Sequence, residues 1–259
     1  MRNLILILSL LVLPVGAYAQ SAFQGLDMNS PKMTEAELSR ADIEEMVGSG
    51  GAIDLERALL NGLDLSGLDL TGANLRAARM NRVNLSNSVL DDAILDQAWM
   101  LEANLADASL VGAQLFQTQM MKADLSGANL KRARAAADFS RANLAGADFT
   151  EANFSADMRN QSMGLMRGVL TKVNAVGATF TNANMMRAEL EFGNFTDANF
   201  ENANLMAATL GGANLTGANV GGARFQDADV TSTKLFDLLG LNDKQFESAR
   251  NLKRAFMKQ

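Results

Sequence analysis

The chain has 259 residues, of which 48% are apolar, a formal net charge of −6, and neither Cys nor His. Without those two residue types there is no Cys-based metal site, no disulfide, no thiol nucleophile and no His-dependent triad. The acidic balance also argues against direct binding of nucleic acid, which needs clustered Lys and Arg against phosphates.

Residues 1–19 read as a secretory signal peptide. Arg2 is a short positive start, Leu4 to Val12 is apolar except for Ser9, Pro14 and Gly16 break the run, and Ala17-Tyr18-Ala19 fits a small-x-small cleavage site. Cleavage is expected after Ala19. The apolar run is too short to span a bilayer comfortably, so no stable membrane insertion is expected after cleavage. The mature chain keeps 22 basic residues, because Arg2 leaves with the signal, against 29 acidic ones. An exported protein, periplasmic or extracellular, is expected.

Residues 20–60 read as an N-terminal segment with a helical cap. Thr34 with Glu37 has the spacing of a capping box opening a helix to about Val47. Gly48-Ser49-Gly50-Gly51 ends it, and Ile53 to Leu60 reads as a second short helix.

From Leu65 every fifth residue is apolar: Leu65, Leu70, Leu75, Met80 and onward to Ala135. After a slip of one residue the series runs Phe139, Leu144, Phe149, Phe154. After a second irregularity, Ser155 to Val169, it runs from Leu170 to Leu235. None of these 33 central positions is polar, and the residue two before the centre is Ala in 24 of the 33 units. The residue just before the centre is Asn or Asp in 19 of 33. A period of five fits neither a helix nor a flat strand. One large and one small inward residue per unit, with Gly, Asn, Asp and Ser beside them, describe a coil that turns a corner in every unit. Such coils bury their apolar side only by stacking.

Ala73-Asn74-Leu75, Ala103-Asn104-Leu105, Ala147-Asp148-Phe149 and Ala198-Asn199-Phe200 resemble the pentapeptide-repeat family, whose consensus is A-[DN]-[LF]-x-x. The resemblance covers roughly residues 61–235. It implies an all-β fold, a right-handed quadrilateral parallel β-helix with four units per coil. That gives about nine coils and a rod on the order of 40 Å long. Leu130 and Leu170 lie 40 residues apart, two whole coils, so the rod is expected to stay in register across both irregularities.

Residues 236–259 read as a C-terminal helix. Asn242 and Gln245 start it, and Phe246, Ala249, Leu252 and Phe256 share a helical face. Short α-helical caps at both ends would cover strand edges that otherwise pair with other chains. The alternative role of the C-terminal helix, implied by the resemblance, is to join a homodimer.

Residues twenty apart are expected to stack. Met80, Met100 and Met120 then form an internal column. Two sets of apolar residues fall on outward positions and are the candidate interaction surface: Met166, Met186 and Met206 as a ladder, and Trp99, Leu101, Phe116 and Met121 in neighbouring columns. Contiguous exposed apolar surface points to a protein partner. Thioethers suit Cu(I), which makes metal binding a minor reading of the ladder. No catalytic, cofactor or metal constellation is apparent. Asp91, Asp92, Asp96, Glu102 and Asp107 cluster in sequence, but units of five residues leave no loops to wall a substrate groove, so an enzyme is not expected. The reading is a non-catalytic exported scaffold for protein–protein interaction. The alternative implied by the resemblance is an acidic rod that mimics DNA and acts on DNA gyrase. Export and the basic run Lys131, Arg132, Arg134, Arg141 count against it.

Overall fold

A computed structural model describes residues 27–155, 167–242 and 244–257. The expected signal segment and Met166 lie outside the described residues. The period of five becomes a four-sided coil. Each side contributes one bridging residue, the one before the apolar centre, and these residues pair in parallel with the coil above and below. On the third side of each lap the ladder runs Asp64–Asn84–Asn104–Asp124, and on the fourth Asp69–Val89–Ser109–Asn129. Each side is one bridge wide, so the described residues carry bridges and turns and no extended strand.

The backbone accounting explains why this suffices. The centre residue's N–H donates forward, as from Leu65 to the Asn84 carbonyl at 2.7 Å, and the bridging N–H of the next coil donates back, as from Asn84 to Leu63 at 2.8 Å. Every coil therefore gives and receives on all four sides, and buried peptide groups are paired. Asn and Asp at the bridging position add a second layer. Asn84 Nδ2 donates to Asp64 Oδ1, and Asn104 Nδ2 to Asn84 Oδ1, each at 2.9 Å. The same side chains accept from the N–H two residues on, as Asp69 does from Thr71 at 3.0 Å. The Asn column thus serves the turns.

At each corner the second residue after the centre takes a positive φ. Among the described residues this position holds mostly Gly, Asn, Asp and long straight side chains, with Ala77, Ala207, Ser232 and Phe192 beside them and no Val, Ile or Thr. β-branched residues fit that region worst.

All 33 central positions are buried, including the column Met80, Met100 and Met120. The second inward position is small because four such side chains and four large centres must share the bore of each coil. Where it is polar the hydroxyl finds a carbonyl: Thr118 Oγ1 donates to Leu95 O, and Thr233 Oγ1 to Leu210 O, each at 2.8 Å. At residue 193 the small position is Gly, because the Phe195 ring turns into the space. An added Cβ would lie 2.4 Å from Phe195 Cε2 and 3.2 Å from the Leu190 carbonyl oxygen. Gly193→Ala is therefore expected to lower stability by about 1–3 kcal/mol through overpacking. A urea titration in which the variant matches or exceeds the wild type would contradict this.

Several expectations are corrected. The coils begin before residue 61, since Asp54 and Leu59 already bridge to Asn74 and Arg79, so Ile53 to Leu60 is not a helix. The rod does not hold its register in the expected way. Ala135–Ala136–Ala137 turns a corner one residue short, with Ala137 N–H bonded to Ala135 O at 2.8 Å, and all three alanines are buried. Asp138 then pairs with Val169, 31 residues on. Leu170 consequently follows Phe139 and Met120 in its column. Leu130 instead leads to Phe149 and Phe180 on the opposite side. The irregularities shift the sequence by two faces rather than cancelling.

The N-terminal cap is helical, but its capping box lies five residues later than expected, at Ser39 rather than Thr34. α1 (Pro31–Thr34) is a single turn, and α2 (Arg40–Gly48) opens at a capping box formed by Ser39 and Asp42. Glu37 is drawn away from the capping role because its carboxylate accepts the Leu59 N–H at 2.9 Å. Ile43 of α2 is fully buried over the first coil. Arg40 donates to the edge carbonyls of Asp64 and Ser66 at 3.0 and 3.2 Å, which closes the open end.

The C-terminal helix is absent among the described residues. Residues 244–248 are turns, and the only helical piece is the 3₁₀ turn Leu252–Arg254. The ladder overrides the helical pattern: Arg250 pairs with Asp229 and Phe256 with Lys234, which lays the segment down as a further lap. Phe246 plugs the bore, 4.3 Å from the Phe225 ring, while Phe256 stays 53% exposed.

Candidate interaction surface

The faces follow from the bridges. Taking the first face from Asp54, the outward residues Trp99, Leu101 and Met121 belong to the second, and Phe116, Met186 and Met206 to the first. The structure therefore brings together Trp99, Leu101 and Met121 and leaves Phe116 round a corner. Met186 and Met206 are one coil apart on one side, as expected. All six are only partly exposed.

The second face is occupied at its start. Residues 27–37 run along it as a strap, antiparallel to the first coil, with an Ala36–Leu60 bridge and a 2.8 Å bond from Glu37 N–H to Leu59 O. Two buried asparagines at successive levels hold the strap's backbone. Asn61 Nδ2 donates to the carbonyls of Lys32 and Glu35 at 3.2 and 2.8 Å, and Asn81 Nδ2 to that of Met33 at 3.2 Å. Met33 is buried, with Arg79 Nη1 at 3.5 Å from its sulfur. The Arg79 guanidinium in turn lies 4.7 Å from the centre of the Trp99 ring, a cation–π pair. At the next two levels Met28 reaches a shallow groove that it lines with Leu101, Glu102, Met121 and Lys122.

The methionine ladder is not arranged for a soft cation. Arg224 Nη2 stands 2.9 Å from the Met206 sulfur, so a positive charge already occupies the thioether's open side. Met166, the third rung, lies outside the described residues.

The carboxylates that cluster in sequence are dispersed by the coil. Asp91 and Asp92 fall on the fourth face, Asp96 on the first, Glu102 on the second and Asp107 on the third. Asp91 accepts from Ser109 Oγ and Val111 N, and Asp96 from Phe116 N. Glu102 sits between Arg82 and Lys122, and the Lys122 and Arg82 hydrogen bonds hold its carboxyl below the ordinary value. No two of them converge as an acid–base pair needs. Among the described residues no group of three or more His, Cys, Asp or Glu could hold a metal, and no helix is long and apolar enough to cross a membrane.

One carboxyl is displaced the other way. Burial raises Glu191, with Glu189 nearby adding to it and the Thr209 hydroxyl offsetting it. A folded-state value above the unfolded one means that the native state binds the extra proton. Stability from this group is thus present in acid and lost as pH rises through the folded value. Glu191→Gln is expected to raise Tm at about pH 7, with the gain shrinking toward acid. A gain independent of pH would contradict the assignment.

Matches to the family model for pentapeptide repeats cover residues 53–76, 69–100, 100–134, 135–156, 169–202 and 203–237. This chain belongs to the pentapeptide-repeat family. The four-sided, parallel-paired coil is the architecture that membership implies. Among solved pentapeptide-repeat structures, HetL from the cyanobacterium Nostoc sp. strain PCC 7120, a protein involved in heterocyst differentiation regulation, is 28% identical. That match covers 85% of this chain and 95% of HetL, with a TM-score of 0.45. Full-length QnrB1, a plasmid-mediated fluoroquinolone resistance protein, is 19% identical over 81% of this chain and 94% of its own, with a TM-score of 0.40. No curated protein matches.

What the pentapeptide periodicity alone missed is the C-terminal end. Leu239, Leu241, Phe256 and Met257 are all exposed there, and Phe192 stands out at a corner, 64% exposed. Phe192 was legible, since it fills the positive-φ corner with an aromatic ring. The end residues were hidden by the helical reading.

Proposed function

We propose that this pentapeptide-repeat protein is an exported, non-catalytic scaffold that binds a protein partner outside the cytoplasm, in the periplasm or extracellular space. The observation that carries the reading is the apolar end of the rod. Four large exposed side chains, Leu239, Leu241, Phe256 and Met257, lie at the C-terminal end of the described coil. A patch of that kind on a rigid polar rod is a docking surface, and a second copy of this chain is one candidate to cover it. The signal-like residues 1–19 support export. Cross-linking and pull-down with the mature tagged protein, compared with Leu239→Ser/Phe256→Ser, tests it. A specific partner band lost in the variant supports the scaffold, and no specific band in either sample removes it.

A second reading, the acidic DNA mimic acting on gyrase, is favoured by one observation. Asp64, Asp107, Asp124, Asp197 and Asp237 line the third face and its corner, with Lys234 as the one cation among them, and the adjoining fourth face adds Asp69, Asp91, Asp92, Asp148, Glu151 and Glu201. Lys131 and Arg132 interrupt the fourth face, and export separates the protein from a cytoplasmic target. A gyrase supercoiling assay with no effect at micromolar protein ends this reading.

A further inference from the structure

The two asparagines of the second face do more than the coil asks of them. Their oxygens serve the stacking: Asn61 Oδ1 accepts the Asn81 N–H at 3.0 Å, and Asn81 Oδ1 the Leu101 N–H at 3.2 Å. Aspartate performs the same task at equivalent positions on other faces, where Asp91 accepts from Val111 N and Asp96 from Phe116 N. The Nδ2 groups are therefore surplus to the coil. Both donate outward to the strap, Asn61 to the carbonyls of Lys32 and Glu35 and Asn81 to that of Met33. These are carbonyls that the single turn α1 leaves without partners at its end. Asn61 and Asn81 are only 5% and 6% exposed, so each level carries a buried donor aimed at a backbone. The strap itself is lightly held. Met33 is the one buried residue among 27–37. Its other ties are those amides, the two bonds between Glu37 and Leu59, and the Ala36–Leu60 bridge.

We propose that the second face at Asn61 and Asn81 is a peptide-binding site, that the strap occupies it in cis, and that a segment of a partner protein takes the strap's place. The occupant presents one helical turn followed by an extended residue, so that three carbonyls meet the two amides. At the Met33 position it carries an unbranched apolar side chain. A cation there is excluded by Arg79, whose Nη1 stands 3.5 Å from the Met33 sulfur. Release of the strap leaves the first coil capped, because α2 is seated separately through Ile43. The site is distinct from the C-terminal patch, so its failure would leave the scaffold reading standing.

The probe is a fluorescently labelled peptide of residues 27–39, titrated against the full chain and read by anisotropy. In the wild type the cis strap competes at an effective concentration on the order of mM. Met33→Lys sets a cation against Arg79 and lifts the strap. This variant is expected to bind the peptide at least about tenfold more tightly than the wild type does. Adding Asn61→Asp/Asn81→Asp keeps the oxygens that the coil uses and removes the donors, and binding is expected to be lost with circular dichroism unchanged. No binding by Met33→Lys with an intact coil would overturn the proposal, as would equal binding by the wild type or binding indifferent to the aspartates. Hydrogen exchange of the wild type tests it without a substitution. The Glu37 amide is expected to exchange at least about tenfold faster than that of Leu85 in the coil, and equal rates would make the strap a fixed part of the rod. A wild-type dimer that Met33→Lys dissociates would also overturn the proposal, and would assign the site to a second copy's strap.

Discussion

Phe180→Ala is expected to cost about 3–5 kcal/mol of stability, the range for removing a fully buried aromatic ring from a core that cannot collapse. Phe180 is stacked between Phe149 and Phe200 at centroid distances of 5.3 and 5.0 Å, with interplanar angles of 6° and 8°. The Phe154 and Phe195 rings stand at 6.1 Å on adjacent sides. The backbone around the ring is pinned by ladders above and below, so the cavity cannot close by a shift of one coil. The column also spans the irregular stretch, since Phe149 precedes it and Phe180 follows. Its rings are what carries the core across that break. Phe180→Leu, which keeps most of the volume, is expected to cost under about 1.5 kcal/mol. Urea unfolding of both variants checks the pair. Equal small losses would mean that the bore is not packed around this column.

Ile43→Asp is the second large effect. Ile43 is the fully buried residue of α2 and seats the helix on the first coil. A carboxylate there must stay solvated, so the helix lifts and the Arg40 bonds to the Asp64 and Ser66 carbonyls go with it. A loss of more than about 2 kcal/mol is expected from the missing side chain alone. The more telling outcome is association. The uncovered edge of the first coil presents unpaired peptide groups to other chains. Light scattering should show concentration-dependent growth for Ile43→Asp. Glu44→Gln on the same helix, which breaks only a surface pair with Arg40 worth about 0.5 kcal/mol or less, should show none. A monomeric Ile43→Asp protein would mean that the cap does not guard the edge.

The rod was legible because its signal repeats. Each of the 33 centres is an independent vote for one period, and every one is buried. The corner chemistry was legible too, because a positive φ restricts the residue types it accepts. The register across residues 130–170 was not, because spacing in sequence does not say which face an inserted segment rejoins. The Asp138–Val169 bridge decides that. The ends were misread for a related reason. Phe246, Ala249, Leu252 and Phe256 satisfy a helical spacing, but the open ladder at Asp229 and Lys234 offers that segment a full set of backbone partners, and it continues the coil. At the other end Thr34 and Glu37 have the letters of a capping box, while Leu59 competes for the Glu37 carboxylate. Of the candidate surface, Trp99, Leu101 and Met121 share the second face, which stacking arithmetic alone could supply. That the strap shares their face was invisible, because nothing local in residues 27–37 names the coil on which they lie.

The proposed role of this chain, a scaffold working outside the cytoplasm, is checked by the mature N-terminus and its compartment. Both come from mass spectrometry of a C-terminally tagged protein after cell fractionation. A chain starting at Gln20 in the extracytoplasmic fraction is expected. An intact Met1 in the cytoplasm would contradict it.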